Sequence, residues 1–517
     1  MSRPRPLHPV LFAAFPVLNL FQQNLDEVAL GQLLVPLGVV VGGALTLLVL
    51  TVVTVKDLQR AALPVSLWIL LFFSYGYVAD AVAEWEVAGV SVGRDRYVLA
   101  AWGLLAVAGA FLLLRIRRPL ADATRVLNIV AAAMVLVASV PIAVDAVKQP
   151  SSIDPVAGSS PLPTPENRAG PKPDIYYVIF DRYGGEEALK TFFSFDNDPF
   201  LDSLESRGFV VARDARANYP NTAHSLAAAL NMRYLEDLTR IAGSTSSDWR
   251  PVYSLLGRHD VGRFLKAQGY RYVHIGSRWE PTRNNPLADE NVTFDPLSEF
   301  SRTLLDTTPI GPLSRGLGGG EKLDPRRVEW GRVQFQFEQL VRAGNDGKPT
   351  FVFAHILLPH EPYVFDRAGT FLTEEQVGSR SWHRNYLEQL MFANEMMTRS
   401  VDRLLSGPDG SDPIIVLSSD EGPPPGVDPS NPNPDPESWV TKTTPQLRQK
   451  FGILMALHLP GVREPELPSG MTPVNIFRKL LSLYFGSSLP LLPDESYVWE
   501  DRQHLYRFVR VTDQVAS

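Results

Sequence analysis

Carboxylate and hydroxyl side chains next to apolar segments in the C-terminal part of the chain could form a metal-dependent catalytic site. Asp181 follows the apolar run 175–180, and Asp420 and Glu421 come shortly after the run 413–417. Thr222 precedes an apolar stretch that suits a helix. Any one of these acids alone would be a cap or turn residue. Together with the hydroxyl, they predict a site for a hard divalent cation, which prefers oxygen ligands.

The segment around Thr222 has the sequence of a helix start. Asn221 suits the N-cap position, which places Thr222 in the first turn, beside backbone N–H groups without helical partners. That end of a helix attracts anions, so a phosphate or sulfate ester could be held there against the hydroxyl. Most Asn-Thr pairs before an apolar run are only caps, so the catalytic interpretation depends on the carboxylates elsewhere in the chain.

Alternating strands and helices would bring these residues together. The predicted strands are 174–180, 270–275, 350–358, 413–417 and 451–459, and the predicted helices are 198–207, 226–235, 261–268, 328–343, 383–405 and 474–485. This order is typical of an α/β domain with a mainly parallel sheet covered by helices. Ligands bind beyond the carboxyl ends of such strands. Asp181, His360, Asp420 and Glu421 are therefore expected at one edge of the sheet.

Composition excludes several classes of function. The 517-residue chain contains no cysteine, which excludes disulfides, thiolate metal sites and a cysteine nucleophile. The formal net charge of -7 is mild and no basic block occurs, so we expect no nucleic-acid partner.

Long apolar runs occur almost entirely before residue 150. The runs 29–55, 61–79, 97–114 and 126–144 approach or exceed the about 20 apolar residues that cross a bilayer, whereas 9–21 is shorter and contains Pro16 and Asn19. If all five runs cross the membrane, the basic residues that flank them fall on one side of it. These basic residues are Arg3, Arg5, Lys56, Arg60, Arg115, Arg117, Arg118 and Arg125.

This charge pattern predicts five transmembrane helices, a cytoplasmic N-terminus and a domain outside the cell or in the periplasm. The predicted domains are a transmembrane domain at 1–148, a linker at 149–173 that is rich in Pro, Ser and Gly, and a catalytic domain at 174–517.

The motifs, in their order, resemble the sulfatase-like branch of the alkaline phosphatase superfamily. They are the strand ending in Asp181, the segment NTAHS at 221–225, the segment LPHEPY at 358–363 and the segment SSDEG at 418–422. The membrane part followed by an external domain also resembles lipoteichoic acid synthases and lipid A phosphoethanolamine transferases. The resemblance covers about residues 172 to 490, and in the membrane part it concerns topology only.

The resemblance implies that Asp181 and Asp420 bind the metal, that Thr222 is the nucleophile and that His360 lies on the substrate or leaving-group side. Glu421 stands where many relatives have histidine. It would still bind through oxygen, favouring Mn²⁺ or Mg²⁺ over Zn²⁺, or it would mark a weakened metal site. A formylglycine sulfatase mechanism is disfavoured, because the chain lacks cysteine and the Cys-x-Pro-x-Arg context.

The predicted function is a membrane-anchored phosphotransferase with one divalent metal ion and a phospho-threonine intermediate at Thr222. Its expected partners are a membrane lipid as donor and a glycan or lipid of the cell envelope as acceptor. One alternative is a phosphodiester or sulfate-ester hydrolase with water as acceptor. A second alternative is a non-catalytic binding protein with a degenerate metal site.

Other polar side chains have alternative roles. Strand alternation predicts that His355 faces away from His360 and packs inside the domain. Ser225 is a second choice of nucleophile, and His224 could contact substrate or cap a turn. Arg278 and Arg283 could form a wall for an anionic substrate or belong to a solvated loop, and His458 is expected to be structural.

Overall fold

The structure is a computed structural model that describes residues 4–87, 90–148, 172–316, 324–344, 347–407, 412–425, 438–463 and 466–516. Nearly all of the predicted linker, 149–171, lies outside the described residues. The chain forms two compact units. The first contains Met1–Ser152 and Leu297–Asp324, and the second contains Ile153–Pro296 and Pro325–Ser517. We call Leu297–Asp324 the returning segment, because the chain leaves the second unit there and rejoins the first.

Helices dominate the first unit. They are α1 (His8–Gln23), α2 (Gly31–Val55), α3 (Leu58–Val82), α4 (Asp95–Leu114) and α5 (Ala121–Lys148), with a short antiparallel pair of strands, β1 (Glu86–Val87) and β2 (Val90–Ser91), between α3 and α4. Within the described residues, α2, α3, α4 and α5 are long and apolar enough to cross a membrane. The prediction of five such helices therefore exceeds this number by one. The run 9–21 folds as the 16-residue α1, about 24 Å long at 1.5 Å per residue and shorter than a hydrocarbon core of about 30 Å.

The starts of α1, α3 and α5 lie together. The side-chain oxygen of Asn128, in α5, accepts hydrogen bonds from the backbone N–H groups of Leu7 and His8, each at 2.9 Å. Gln59, at the start of α3, donates to the carbonyl of Pro4 at 2.9 Å. Helices α1, α3 and α5 therefore run in the same direction through the first unit.

The second unit is a layered α/β domain. Its strands are β3 (Ile175–Phe180), β4 (Phe209–Val211), β5 (Arg271–Ile275), β6 (Glu290–Val292), β7 (Thr350–Ile356), β8 (Ile414–Ser419), β9 (Met455–His458), β10 (Tyr497–Trp499) and β11 (Phe508–Arg510). Seven of them form one sheet in the order β4-β9-β8-β3-β7-β5-β6, in which β8, β3, β7, β5 and β6 are parallel and β9 is antiparallel to both neighbours. The predicted fold class, with a mainly parallel sheet, is confirmed.

Helices cover both faces of this sheet and also make up the returning segment. The helices before the returning segment are α6 (Glu186–Phe193), α7 (Asp198–Glu205), α8 (Thr222–Asn231), α9 (Glu236–Ala242), α10 (Arg250–Gly257) and α11 (Asp260–Ala267). The returning segment contributes α12 (Glu299–Asp306) and α13 (Ile310–Gly316). The later helices are α14 (Pro325–Arg342), α15 (Glu374–Gly378), α16 (Trp382–Leu405), α17 (Thr444–Phe451), α18 (Ile476–Phe485) and α19 (Thr512–Val515).

Strand alternation divides the core into two apolar layers. Ile175, Tyr177 and Ile179 point to the layer that contains α8, α11 and α18, whereas Tyr176, Val178 and Phe180 point to the layer of α14 and α16. Both faces of β3 are buried, which explains its continuous apolar sequence. The polar residues that follow the strands therefore emerge from a rigid, fully covered sheet.

Candidate metal centre

Three side chains at the ends of the central strands form a cluster suited to a divalent cation. Single ligand atoms of Asp181, His355 and Asp420 all lie within 4.8 Å of one another, and the three residues are buried. Asp181 Oδ1, His355 Nε2 and Asp420 Oδ2 have no hydrogen-bond partner among the described residues. Leaving buried polar atoms without partners is costly, so these atoms fit a site that is completed by a bound ion. We call these three residues the metal cluster.

Sheet register explains why these three residues meet. Phe180 is level with Ser419 in β8, so the next residues, Asp181 and Asp420, leave the sheet side by side. His355 is level with Ile179 across the β3–β7 pair. Because side chains alternate along a strand, His355 lies on the same face of the sheet as Asp181. Residues from three distant parts of the chain thus converge on one face.

His355 corrects one sequence-based interpretation, in which it only packs inside the domain. It is fully buried, but its Nε2 lies 3.7 Å from Asp181 Oδ2, and its Nδ1 is 2.8 Å from the hydroxyl of Thr282. Burial lowers its pKa to about 3, so the ring is neutral at neutral pH, which is the form that binds metals. The alternation argument failed because β7 ends at Ile356, before His360.

Electrostatics in the metal cluster also favour a cation. The pKa of Asp181 is raised well above its usual value by burial and then by the neighbouring charges of Asp420 and Glu421. Burial likewise raises the pKa of Asp420, while a hydrogen bond from the Thr222 side chain and the charge of Lys450 act in the opposite direction. Two carboxylates in a buried site repel each other when both are ionised, and a divalent ion between them would relieve that repulsion.

Thr222, predicted as the nucleophile, lies near Asp420 of the metal cluster. It is the first residue of α8, and the N-cap Asn221 accepts a hydrogen bond from the backbone N–H of His224 at 3.1 Å. The Thr222 side chain lies close enough to Asp420 to lower the pKa of that carboxyl, and the residue is half-buried. Ser225, the second choice of nucleophile, donates instead to the backbone carbonyl of Asp420 at 2.6 Å. This bond ties the start of α8 to the end of β8 and leaves Thr222 as the hydroxyl that faces the metal cluster.

Glu421, predicted as a metal ligand, is placed elsewhere by the structure. Its Oε1 lies 2.8 Å from Lys450 Nζ and 3.2 Å from Arg182 Nε. β8 ends at Ser419, and beyond it the carboxylate of Glu421 is directed to these two cations. Lys450 is fully buried. We call Arg182, Glu421 and Lys450 the ion cluster.

Arg182 is a site residue that the sequence analysis missed. It adopts a left-handed backbone conformation, with φ of 62°, directly after Asp181. Its backbone N–H donates to Asp420 Oδ1 at 3.3 Å, and its guanidinium donates to Glu361 Oε1 at 2.8 Å as well as to Glu421. Non-glycine residues rarely adopt this conformation unless the surroundings enforce it. An arginine next to a strand-end aspartate was the available signal, but its backbone conformation could not be read from the sequence.

His360 and Arg278 lie on the partly exposed side of the site. His360 Nδ1 contacts the backbone carbonyl of Glu361, and the side chain is 18% exposed. Burial, followed by the charge of Arg182, lowers the pKa of His360 to about 3, so the ring is neutral at neutral pH. Arg278 donates to the same carbonyl at 2.9 Å.

His224, His458 and Arg283 are placed inside the fold. His224 is buried among aromatic rings that include Tyr219 and Trp249, and His458 lies 2.8 Å from the carbonyl of Pro413. Arg283 is buried and donates to the carbonyl of Asp295, so only Arg278 of the two predicted wall arginines is substantially exposed.

A family model described as Sulfatase matches residues 177–450, just over half of the chain. The chain belongs to the sulfatase family. The match spans the strands that carry Asp181, His355 and Asp420, and it includes Thr222. The chain is therefore a sulfatase-like protein of the alkaline phosphatase superfamily. A comparison with curated protein sequences finds no match.

Solved structures with similar folds include two bacterial proteins. The C-terminal periplasmic domain of EptC from Escherichia coli, in complex with Zn, is 13% identical, with 69% of this chain and 99% of that chain covered and a TM-score of 0.45. A protein of the alkaline phosphatase superfamily from Vibrio parahaemolyticus is also 13% identical, with 66% and 76% covered and a TM-score of 0.40.

Proposed function

We propose that the protein is a membrane-anchored, metal-dependent phosphotransferase that uses Thr222 as its nucleophile. The observation that carries this proposal is the side chain of Thr222, close enough to Asp420 to lower the pKa of that carboxyl, next to three buried ligand atoms without hydrogen-bond partners among the described residues. Asp181, His355 and Asp420 would hold one divalent ion. When bound, this ion would neutralise negative charge that develops at phosphorus. Because His355 adds a nitrogen ligand to two carboxylates, Zn²⁺ and Mn²⁺ suit the site better than Mg²⁺.

The proposed reaction has two substitutions at phosphorus. Thr222 Oγ forms a bond to the phosphorus of a phospholipid head group, and the bond from phosphorus to the diacylglycerol oxygen breaks. The diacylglycerol leaves with a proton, and the head group stays on Thr222 as a phosphodiester. A hydroxyl of a glycan or lipid then attacks the same phosphorus, and the oxygen and proton of Thr222 are restored. The N-terminal N–H groups of α8 lie beside this position and favour an anionic group there.

His360 and Arg278 would act on the substrate side of this reaction. The neutral ring of His360 suits positioning and hydrogen bonding to the lipid better than proton donation as an imidazolium. Arg278 is exposed enough to meet a phosphate, and arginine binds phosphate oxygens with two parallel hydrogen bonds.

Head-group transfer is tested with the full chain in detergent or vesicles. Phosphatidylethanolamine or phosphatidylglycerol labelled in the head group is added with a glycan or lipid acceptor, and the label is followed. We expect label on the acceptor and, after rapid quenching, on the peptide that contains Thr222. Label that appears only as free head group in solution would identify a hydrolase with water as acceptor. No release of diacylglycerol from any donor, with metal bound, would favour the binding-protein alternative.

The helical arrangement supports the predicted orientation. Because α1, α3 and α5 start together and run in the same direction, α1 crosses in the same sense as α3 and α5 if it spans the membrane. The N-terminus would then be cytoplasmic, in agreement with the basic residues. Since the chain has no cysteine, single cysteines at Lys56 and Glu84 can be tested with a membrane-impermeant maleimide on intact cells. We expect labelling at position 84 and none at position 56, and the reverse pattern would contradict this orientation.

A further inference from the structure

The returning segment packs into the apolar core of the N-terminal helices. Its first helix, α12, has the N-cap Ser298, whose side chain accepts the backbone N–H of Ser301 at 3.2 Å. Phe300 and Leu304, four residues apart and hence on one face of α12, are both buried. They belong to the same apolar cluster as Phe12, Val17 and Phe21 of α1. Thr303, on the other side of α12, is exposed.

Specific contacts fix this packing at two helices. The rings of Phe21 and Phe300 meet edge to face, with centroids 6.1 Å apart and an angle of 80° between their planes. In α3, the backbone N–H of Gly76 donates to the carbonyl of Thr307 at 2.9 Å. A Cβ atom at Gly76 would lie 2.4 Å from the carbonyl oxygen of Asp306, so glycine is needed for this close approach. The following helix, α13, contacts α4.

We call the second unit, which carries the metal cluster, the catalytic unit. We propose that the returning segment is a second attachment of the catalytic unit to the membrane helices, independent of the linker at 149–173. The chain joins the two units at three places, near residues 152, 296 and 324, and only the first of these belongs to the linker. The two later connections are held by the packing of Phe300, Leu304 and Thr307 against α1 and α3. The surface that holds the returning segment is therefore formed by α1 and α3 of the same chain.

The proposal predicts that cutting the linker does not release the catalytic unit. A site for a specific protease is introduced within 156–162 of the full chain, the protein is cleaved in membrane vesicles, and the vesicles are floated on a density gradient. We expect the C-terminal fragment to float with the vesicles after a salt wash. Recovery of most of this fragment in the soluble fractions would overturn the proposal.

Matched variants show whether α12 provides the attachment. Phe300→Asp with Leu304→Asp places two charges in the buried face, and we expect most of the cleaved fragment to leave the vesicles as a monodisperse species. Thr303→Asp adds a charge to the exposed side of the same helix and should leave flotation unchanged. Equal retention of the double variant and the Thr303 variant would show that other contacts hold the fragment, and would overturn the assignment to α12.

Cross-linking tests the same contact directly. The native chain has no cysteine, so Phe21→Cys with Phe300→Cys creates one defined pair. After linker cleavage and treatment with a short bismaleimide, we expect the two fragments to migrate as one band on a denaturing gel. Phe21→Cys with Thr303→Cys is the control and should give little cross-linking. Equal cross-linking of both pairs, or none of the Phe21 and Phe300 pair, would contradict the proposed interface.

Discussion

Asp420 and Glu421 are adjacent in the sequence and equally buried, yet they belong to two regions with opposite electrostatic character. Asp420 lies in the metal cluster, where its Oδ2 has no hydrogen-bond partner among the described residues. Glu421 lies in the ion cluster, between Lys450 and Arg182. Buried carboxylates need compensation by opposite charge. The ion cluster supplies that charge from the protein itself, whereas in the metal cluster a bound cation would supply it.

Asp420 and Glu421 also differ in the role that each has next to the metal cluster. Glu421 replaces a histidine of many relatives, and the sequence left open whether this change weakens the metal site. In the structure the nitrogen atom of the metal cluster belongs to His355 on β7, so the candidate ligands are one histidine and two carboxylates. Glu421 instead holds the cations that flank the cluster.

The largest expected effect is on the metal-cluster side, at Thr222. Thr222→Ala removes the attacking oxygen, so we expect head-group release to fall by about 10⁴-fold or more, as for other nucleophiles that act as part of a unit. Initial rates of diacylglycerol release, with metal content measured in parallel, check this expectation. Thr222→Ser keeps a hydroxyl and should retain measurable turnover. Activity of the alanine variant within tenfold of the native rate would reject Thr222 as the nucleophile.

Substitution of Lys450 tests whether this residue compensates the buried charge of Glu421 in the ion cluster. Lys450→Met leaves Glu421 buried with one cation fewer, and we expect a loss of about 3–5 kcal/mol in the free energy of unfolding. Adding Glu421→Gln to this variant should restore much of that stability, because the uncompensated charge is then gone. Denaturant titration of the single and double variants measures the difference. Equal stability of Lys450→Met and the native chain would show that Glu421 does not depend on Lys450.

Metal binding is expected to depend on Asp420 and not on Glu421. A divalent ion at 100 times its dissociation constant should stabilise the native chain by about 2.7 kcal/mol. We expect Asp420→Asn to lose this increment and the bound metal, whereas Glu421→Gln, the adjacent isosteric change, should keep both. Metal analysis of the purified protein and thermal unfolding with and without Mn²⁺ or Zn²⁺ provide the measurements. Loss of metal in the Glu421 variant alone would reverse our assignment of the two residues.

A smaller effect is expected at a buried histidine outside both clusters. His259 caps α11 by accepting the N–H of Gly262 at 2.9 Å, and burial lowers its pKa to about 3. Its pKa in the unfolded chain is about 6.5, so below that pH only the unfolded state gains the proton. Stability should therefore fall by about 1.4 kcal/mol per pH unit as the pH drops below 6.5, for this residue alone.

His259→Asn retains a cap acceptor and removes the titrating group. We expect the pH dependence of the free energy of unfolding between pH 6 and pH 5 to become flatter by about 1.4 kcal/mol per unit. Denaturant titrations at both pH values check this. An unchanged slope would mean that His259 carries a proton in the folded protein.

Much of the catalytic fold could be predicted because its strands and helices have strong local patterns. The predicted strands at 174–180, 350–358 and 413–417 correspond to β3, β7 and β8, whose continuous apolar sequences reflect burial on both faces. The segment 451–459 contains β9, but its antiparallel direction depends on pairing with β8 and β4, which local sequence does not encode. The returning segment was missed because its short amphipathic helices look like any surface helices.

The site was predictable where it follows local motifs and not where it depends on register. Thr222 and the aspartates at strand ends could be identified from their positions next to apolar runs. His355 could not, because its place beside Asp181 depends on the alignment of β7 with β3. The ion pairs of Arg182 and Lys450 join residues that are distant in sequence and whose partners only the tertiary structure reveals.

The returning segment lies in the sequence after Asp181 and Thr222 and before His355 and Asp420. During synthesis from the N-terminus, the chain therefore presents the N-terminal apolar helices first, then Asp181 and Thr222, then α12 and α13, and only afterwards β7 and β8. Docking of α12 on α1 and α3 can precede synthesis of the last two ligands. Under the proposed function, each nascent molecule would then be attached at the bilayer before its metal cluster is complete, so that it would acquire an ion next to the proposed lipid donor.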